Sequence, residues 1–464
     1  VWDESEIGQG MAFAILIDRK LSISFDTPQK LLYDEYITKE VKKMTIYLTQ
    51  SNQIRGLSKE QFKQLKEMCY YAKNLYNVGL YNVRQHYFTE KSFLEYESNY
   101  YVSKTNENYK MLQAGVSQQI LKVVDRSFKS FFNLIQKAKN GEYRFQDIKI
   151  PKYLKKDGLF TLIFSTNAIH IKDGYFRVPV SRLYKKMNPE HKDILIPFPS
   201  RLEEKKIKEV RIKPRNNGQF FVIQYVYEQP YETVDLDRHK ALAIDIGLNN
   251  LASCVDTDGA SFLVDGKKLK SLNRLYNKKK ARLQSVAMKQ GVKYTRQIDT
   301  LTLKRNNQVN DYIKKTARII IDYCLENKIG NLVVGYNKDF KRNTNMGKKN
   351  NQQFTQIPFG NLREQLFNLC ERYGIEYVEQ EESYTSKASF FDNDKLPKWN
   401  PSDETKHVFS GKRVKRGLYR TSTGYEFNAD INGALNILHK SNLLDTSILQ
   451  ARGRLARPVR IRVT

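Results

Sequence analysis

The chain has 464 residues, 40 % hydrophobic and 28 % charged, with 24 Phe and 29 Tyr, which excludes wholesale disorder and leaves room for more than one domain. Its 79 Lys and Arg against 50 Asp and Glu leave +29, which points to a polyanionic partner and above all to nucleic acid. No apolar run reaches the roughly 18 residues of a membrane span, and Cys69, Cys254, Cys324 and Cys370 are too scattered for a disulfide framework or paired zinc ligands. A soluble protein of a reducing compartment, with no membrane partner, is the expectation.

Residues 1–43 hold eight acids and six bases, against the trend of the whole, and Met44 opens a fresh start, MTIYLTQ. They are read as a leader of uncertain role. Ser58 and Gln61 then make a capping-box start, and Phe62, Leu65, Cys69, Ala72 and Tyr76 recur at helical spacing, so 57–87 is predicted helical. A second helix is predicted over 112–138, with Ile120, Val124, Phe128, Phe131 and Ile135 on one face. The aromatic stripes read as core. The polar-face cations Arg84, Lys122, Arg126, Lys129 and Lys137 read as phosphate contacts.

From 160 to 231 the period becomes two, broken by Asp-Gly and Asn-Gly turns, which predicts a small antiparallel sheet or barrel. The helices are then an insertion after a first strand at 44–50. From Lys240 the pattern is mixed α and β: an apolar strand at 241–247, a hairpin at 251–264 and basic helices over about 266–327. A strand at 331–334, a helix at 360–373 and a strand at 374–380 follow. The stretch 388–427 reads as irregular and basic, 429–440 as a helix, and the tail carries Arg452, Arg454, Arg457, Arg460 and Arg462.

Asp245 sits inside the apolar strand ALAIDIG, where a carboxylate is costly unless paired or metal-bound. Asp430, in EFNADINGALNIL, lies near a helix N-terminus, where capping and metal binding are both open. Glu381 and Glu382 end a strand, and neighbours on a strand point to opposite faces, so only one can enter a shared site. Acids from three separate elements of a basic chain suggest a two-metal nuclease, with Mg²⁺ or Mn²⁺ on hard carboxylate oxygens. No Cys or His cluster offers a zinc alternative.

ALAIDIGLNNLAS resembles the first RuvC motif of the TnpB proteins of IS200/IS605-type transposons, relatives of compact type V CRISPR nucleases. NADINGALNI resembles their third motif, GVSQQILKVVDRSFKSFF their recognition helix, and IPFGNLREQLFNLCERYGIEYVEQEESYTSK the run around their second motif. The resemblance covers about 44–464. It implies an α/β multidomain fold: an antiparallel β-barrel (wedge) domain at 44–236 with a helical recognition insertion at about 57–140, then an RNase H-like RuvC nuclease domain at 237–464. A target-nucleic-acid-binding insertion lies at about 385–427. It also implies an RNA-guided DNA endonuclease of a mobile element, using two Mg²⁺ or Mn²⁺ ions, a guide RNA and a double-stranded target with a short adjacent motif. Asp245 and Asp430 match the first- and third-motif acids.

Two departures stand out. Gly335, in NLVVGYN, occupies the place of the second-motif Glu, so Glu381 or Glu382 would supply that acid from the later strand; if neither reaches the metals, a nuclease-dead RNA-guided repressor follows. A compact CRISPR effector is a further alternative, and a prokaryotic cytoplasm, near the nucleoid, the implied location. Residues 388–427 contain no cysteine, so the family's zinc ribbon cannot form. Lys412, Arg413, Lys415 and Arg416 in that stretch suit contact with a target strand.

Overall fold

The structure, a computed structural model, describes residues 45–232, 234–292, 295–337, 348–398, 405–447, 449 and 458–463. The acidic segment 1–43 and Arg452, Arg454 and Arg457 lie outside the described residues.

Strand β1 (Thr45–Gln53) leads into helices α1 (Lys59–Glu90), α2 (Tyr96–Ser103), α3 (Glu107–Met111) and α4 (Ala114–Lys139). Ser58 caps α1, its hydroxyl accepting from Gln61 N while the Gln61 side chain accepts from Ser58 N, so the reciprocal box read from the sequence forms. The chain continues through β2 (Leu162–Ser165), β3 (His170–Lys172), β4 (Tyr175–Arg177), α5 (Arg182–Met187), β5 (Leu195–Pro197), β6 (Ile207–Arg215) and β7 (Phe220–Pro230). These strands pair as a four-stranded antiparallel sheet, β1-β7-β6-β2, and a separate three-stranded one, β3-β4-β5. Alternation along β7 turns Phe221, Ile223 and Tyr225 inward, into one core with Leu65 and Leu75 of α1 and Val124 and Phe128 of α4.

The second half is a six-stranded mixed sheet in the order β12-β11-β8-β9-β10-β16. Its strands are β8 (Asp237–Asp245), β9 (Asn250–Asp256), β10 (Ser261–Asp265), β11 (Ile329–Tyr336), β12 (Glu376–Glu381) and β16 (Val459–Ile461). Helices α6 (Lys267–Lys289), α7 (Arg296–Glu326), α8 (Lys348–Thr355) and α9 (Phe359–Tyr373) join them, and α10 (Ala429–Ser441) precedes β16. β8 and β11 are buried on both faces, so they read as continuous apolar runs. Leu242, Ile244, Leu332 and Val334 pack with α7 and α9, whereas Ala241, Ala243 and Val333 pack with Ala434, Ile437 and Leu438 of α10. That parity puts Asp245 and Gly335 on the α10 face.

Among its described residues, the stretch 388–427 carries regular structure that its composition does not suggest. It contains β13 (Lys412–Lys415) and β14 (Leu418–Arg420), which with β15 (Glu426–Asn428) make a three-stranded antiparallel sheet. Its strands are too short to show a period, and what holds them is non-local. Tyr419 and Phe427 are buried in the α10 core with Phe390, and Asp394 accepts from Ser389 N at 2.7 Å and from the Ser410 hydroxyl at 2.6 Å. The four cysteines are free and buried elsewhere, three of them in the core of the six-stranded sheet. Among the described residues no helix is long and apolar enough to cross a membrane.

Candidate functional site

Three elements converge at the end of β8. Asp245 is the last residue of that strand, and Gly433 of α10 lies directly over it: a Cβ on Gly433 would stand 2.6 Å from Asp245 Oδ2. Only a glycine lets the helix come so close. On the other side, β11 pairs parallel with β8 up to Val334 and Ile244, which sets Gly335 beside Asp245. A Cβ on Gly335 would meet Glu382 Oε2 at 2.9 Å and Ile437 Cδ1 at 2.6 Å. Glu382 follows β12, and its backbone N–H continues that pairing by donating to Tyr336 O at 3.2 Å. The Glu382 carboxylate therefore fills the space that a side chain at 335 would occupy.

Glu381 points elsewhere. Its Oε2 accepts from Lys440 Nζ at 2.6 Å, and its Oε1 from Ser383 N at 2.7 Å. The same ammonium donates to Ser383 O at 2.9 Å and Pro397 O at 3.1 Å, and the Lys440 side chain is only 7 % exposed. Burial opposes ionisation of Glu381, but the Lys440 and Ser383 hydrogen bonds hold its carboxyl below the usual range.

Asp245 and Glu382 have no such support. No hydrogen bond or ion pair among the described residues reaches either carboxylate. Burial, then the charges of Glu382 and Asp430, push Asp245 well above the ordinary carboxylate range, with Arg413 opposing. Burial, then Glu381, push Glu382 up to about 7, with Arg363 opposing. Two unpaired acids in a desolvated corner suit a divalent cation, which would replace the missing positive charge.

Asp430 sits on the first turn of α10. The cap of that helix is Asn428, whose Oδ1 accepts from Asp430 N at 2.9 Å and Ile431 N at 3.2 Å, so the Asp430 carboxylate is free of the capping role. It is held from two sides: Asn250 Nδ2 donates to Oδ2 at 2.7 Å and Arg413 Nη2 to Oδ1 at 2.9 Å. Arg460 Nη1, on β16, donates to Asn250 Oδ1 at 2.7 Å and so fixes the amide. Among the described residues, no three acidic, histidine or cysteine side chains already stand together as a metal cluster.

Asp245 and Asp430 open into a cleft lined also by Asn250 and the cations Lys267, Arg413, Lys415, Arg416 and Arg460, whereas Glu382 lies behind Asp245, outside the cleft lining. Lys412 is exposed on the same β13 strand, outside the cleft lining. The helical-lobe cations lie apart from it. Arg84 packs over the Tyr153 ring at 5.0 Å and donates to Pro151 O at 3.4 Å, so it is committed within the fold. Lys122, Arg126 and Lys129 are exposed on one face of α4, Lys122 over Tyr96 and Lys129 paired with Asp125 at 3.1 Å.

Sequence reading did not single out Asn250, Lys440 or the asparagines of α10. Asn432 and Asn436 donate to Ala388 O, each at 2.7 Å, and Asn436 also to Thr385 O at 2.8 Å, pinning the segment after Glu382 to the helix. The signal for Asn432 and Asn436 was their spacing of four from Asn428, on one face of a helix whose middle is otherwise apolar.

Two family models match adjoining parts of the chain. Residues 224–341 match OrfB_IS605, described as "Probable transposase", and residues 359–437 match the "Cas12f1-like, TNB domain" family. A TnpB-like protein, ORF457 of Acidianus two-tailed virus, is 22 % identical over 408 residues, covering 82 % of this chain and 84 % of that protein. The fold resembles that of the protein in a Cas12f1-sgRNA-target DNA complex, with a TM-score of 0.50 at 15 % identity and 82 % of each chain covered. The two family matches and the TnpB-like relative support the likeness to the TnpB family that the two motif aspartates, placed at one site, suggest.

Proposed function

We propose that the chain is an RNA-guided DNA endonuclease that hydrolyses phosphodiester bonds with divalent metal ions. On this reading the six-stranded lobe is the RNase H-like RuvC nuclease domain, the two-sheet lobe the wedge barrel and its helices the recognition insertion. The carrying observation is the Glu382 carboxylate in the space beside Gly335, unpaired and next to an unpaired Asp245. It supports Glu382, with Asp245 and Asp430, as holders of Mg²⁺ or Mn²⁺.

Metal bound there would supply the charge that activates water and stabilises the leaving oxygen. The chain's own residues do the rest. Lys267, Lys415 and Arg416 neutralise backbone phosphates entering the cleft. Asn250, held by Arg460, orients Asp430. Sequence choice would come from a guide RNA, with the protein reading duplex shape. The relatives' names support this: one match is to a Cas12f1-like family and the similar structure is of a complex with RNA and DNA. A transposon or CRISPR locus would both supply such a guide, and the work would be done in the cytoplasm at the nucleoid.

A second reading, a guide-directed binder without cleavage, is favoured by the Arg413–Asp430 ion pair, which occupies the third acid. One experiment separates the two. The full chain is expressed with its flanking DNA, the co-purifying RNA is sequenced, and the complex is given a matching duplex and Mg²⁺. A defined RNA with cutting supports the endonuclease, a defined RNA without cutting the binder, and random or absent RNA refutes both.

A further inference from the structure

Helix α6 holds nine Lys and Arg and no Asp or Glu in its 23 residues. Its neighbour α7 offsets charge internally: Lys315 pairs with Asp311 at 3.1 Å and Arg318 with Asp322. On α6, Lys267, Lys270, Arg274, Lys278 and Arg282 follow at steps of three and four and so share one helix face. All but Lys270 are exposed, and none forms a salt bridge among the described residues. Like charges at this spacing destabilise a helix in isolation, so the stripe carries a standing cost that a bound polyanion would remove.

The stripe begins at the site. Lys267 lines the cleft, and Lys270 Nζ donates to Asn249 Oδ1 at 2.8 Å, Asn249 being another lining residue. From Lys267 to Arg282 the helix runs about 22 Å at ~1.5 Å per residue, the length of about six stacked nucleotides at ~3.4 Å each. The row is one side chain wide and winds about 40° round the helix axis at each step of four. That suits a flexible strand, because the phosphate path of a rigid duplex winds away from a straight helix.

We propose that this face of α6 is a track for the phosphate backbone of a single DNA strand running between the cleft and solvent. The inference rests on the reading of the cleft as a DNA-cutting site. Phosphates leaving the cleft meet Lys267 and Lys270 first, then Arg274, Lys278 and Arg282 in succession.

The test neutralises the three outer positions together, Arg274→Gln, Lys278→Gln and Arg282→Gln, in the full chain. Gln has nearly the helix propensity of Lys and Arg. Binding of a labelled 20-nucleotide single-stranded DNA is followed by anisotropy across a salt series. The slope of log affinity against log salt is expected to become shallower by about 2, at ~0.7 for each phosphate that the variant no longer neutralises. A matched set on α7, Lys304→Gln, Lys314→Gln and Lys315→Gln, is expected to leave it near wild type. Equal loss in both sets overturns the track, as does loss confined to duplex DNA or to RNA. A charge-keeping variant, Arg274→Lys, Lys278→Arg and Arg282→Lys, is expected to bind as wild type; failure to do so overturns the phosphate basis. Strand binding along α6 without cutting would leave the track standing and defeat the nuclease reading. Cutting with unchanged slope in the triple variant would do the reverse.

Discussion

Gly335 and Glu382 are complementary: a Cβ at 335 would lie 2.9 Å from Glu382 Oε2. The carboxylate after β12 fills the room that the glycine leaves on β11. The two positions cannot both carry a large side chain, since Ile437 Cδ1 lies 2.6 Å from the same point. Gly335→Ala is therefore expected to destabilise the fold by about 1–3 kcal/mol through overpacking and to displace Glu382. Chemical denaturation and cleavage rate measured together check this; a stable, fully active variant refutes it.

Glu382→Gln keeps size and removes charge, and cleavage should fall by about a hundred-fold or more on the proposed mechanism. Glu381→Gln should cut near wild type, because that carboxylate is spent on Lys440 and Ser383. The reverse order in a single-turnover assay would overturn the assignment.

The pH response has a definite sign. Glu382 titrates near 7 in the fold against 4.5 for an ordinary Glu, so the folded state holds the proton more tightly. Its contribution to stability is full below about 4.5 and is lost as pH rises to about 7, amounting to about 3 kcal/mol. The metal-free protein should lose Tm over that window, and Glu382→Gln should flatten the loss. Mg²⁺ or Mn²⁺ should restore Tm above pH 7, where the carboxylate is free to bind. Melting curves at pH 5 to 8, with and without metal, test both parts.

Asp245→Asn removes a half-buried charge that no cation among the described residues pairs with directly. Metal-free, this variant should melt higher than wild type, and it should gain nothing from Mn²⁺. Asp245→Ala and Asp430→Ala should each abolish cutting while leaving RNA affinity within a few-fold. Collapse of RNA affinity in either would make these acids structural.

Asn250→Ala leaves Asp430 Oδ2 without its donor, and Arg460→Gln loosens the amide that supplies it. Losses of about ten- to a hundred-fold in Mn²⁺ affinity or rate are expected for Asn250→Ala, with a smaller effect for Arg460→Gln. Calorimetric Mn²⁺ titration reads this apart from DNA binding; unchanged affinity and rate would remove Asn250 from the site.

The periodicities are local properties, and they carried the element map. The capping box at Ser58, the alternation in β7 and the apolar run into Asp245 each act within a few residues. The choice between Glu381 and Glu382 was not local. Alternation required the two to diverge, but which one faced Asp245 depended on the parallel register of β11 with β8 and β12, a pairing across more than a hundred residues of chain from Asp245 to Glu382. Lys440, brought in by α10, then claims Glu381, and the small sheet at 412–428 aims Arg413 at Asp430. Composition determined that the chain is basic and suited to a polyanion. Only the packing of α10 on the sheet decided which acids are left unpaired, because burial and the nearest cation, both non-local, set whether a carboxylate is satisfied or still needs a partner.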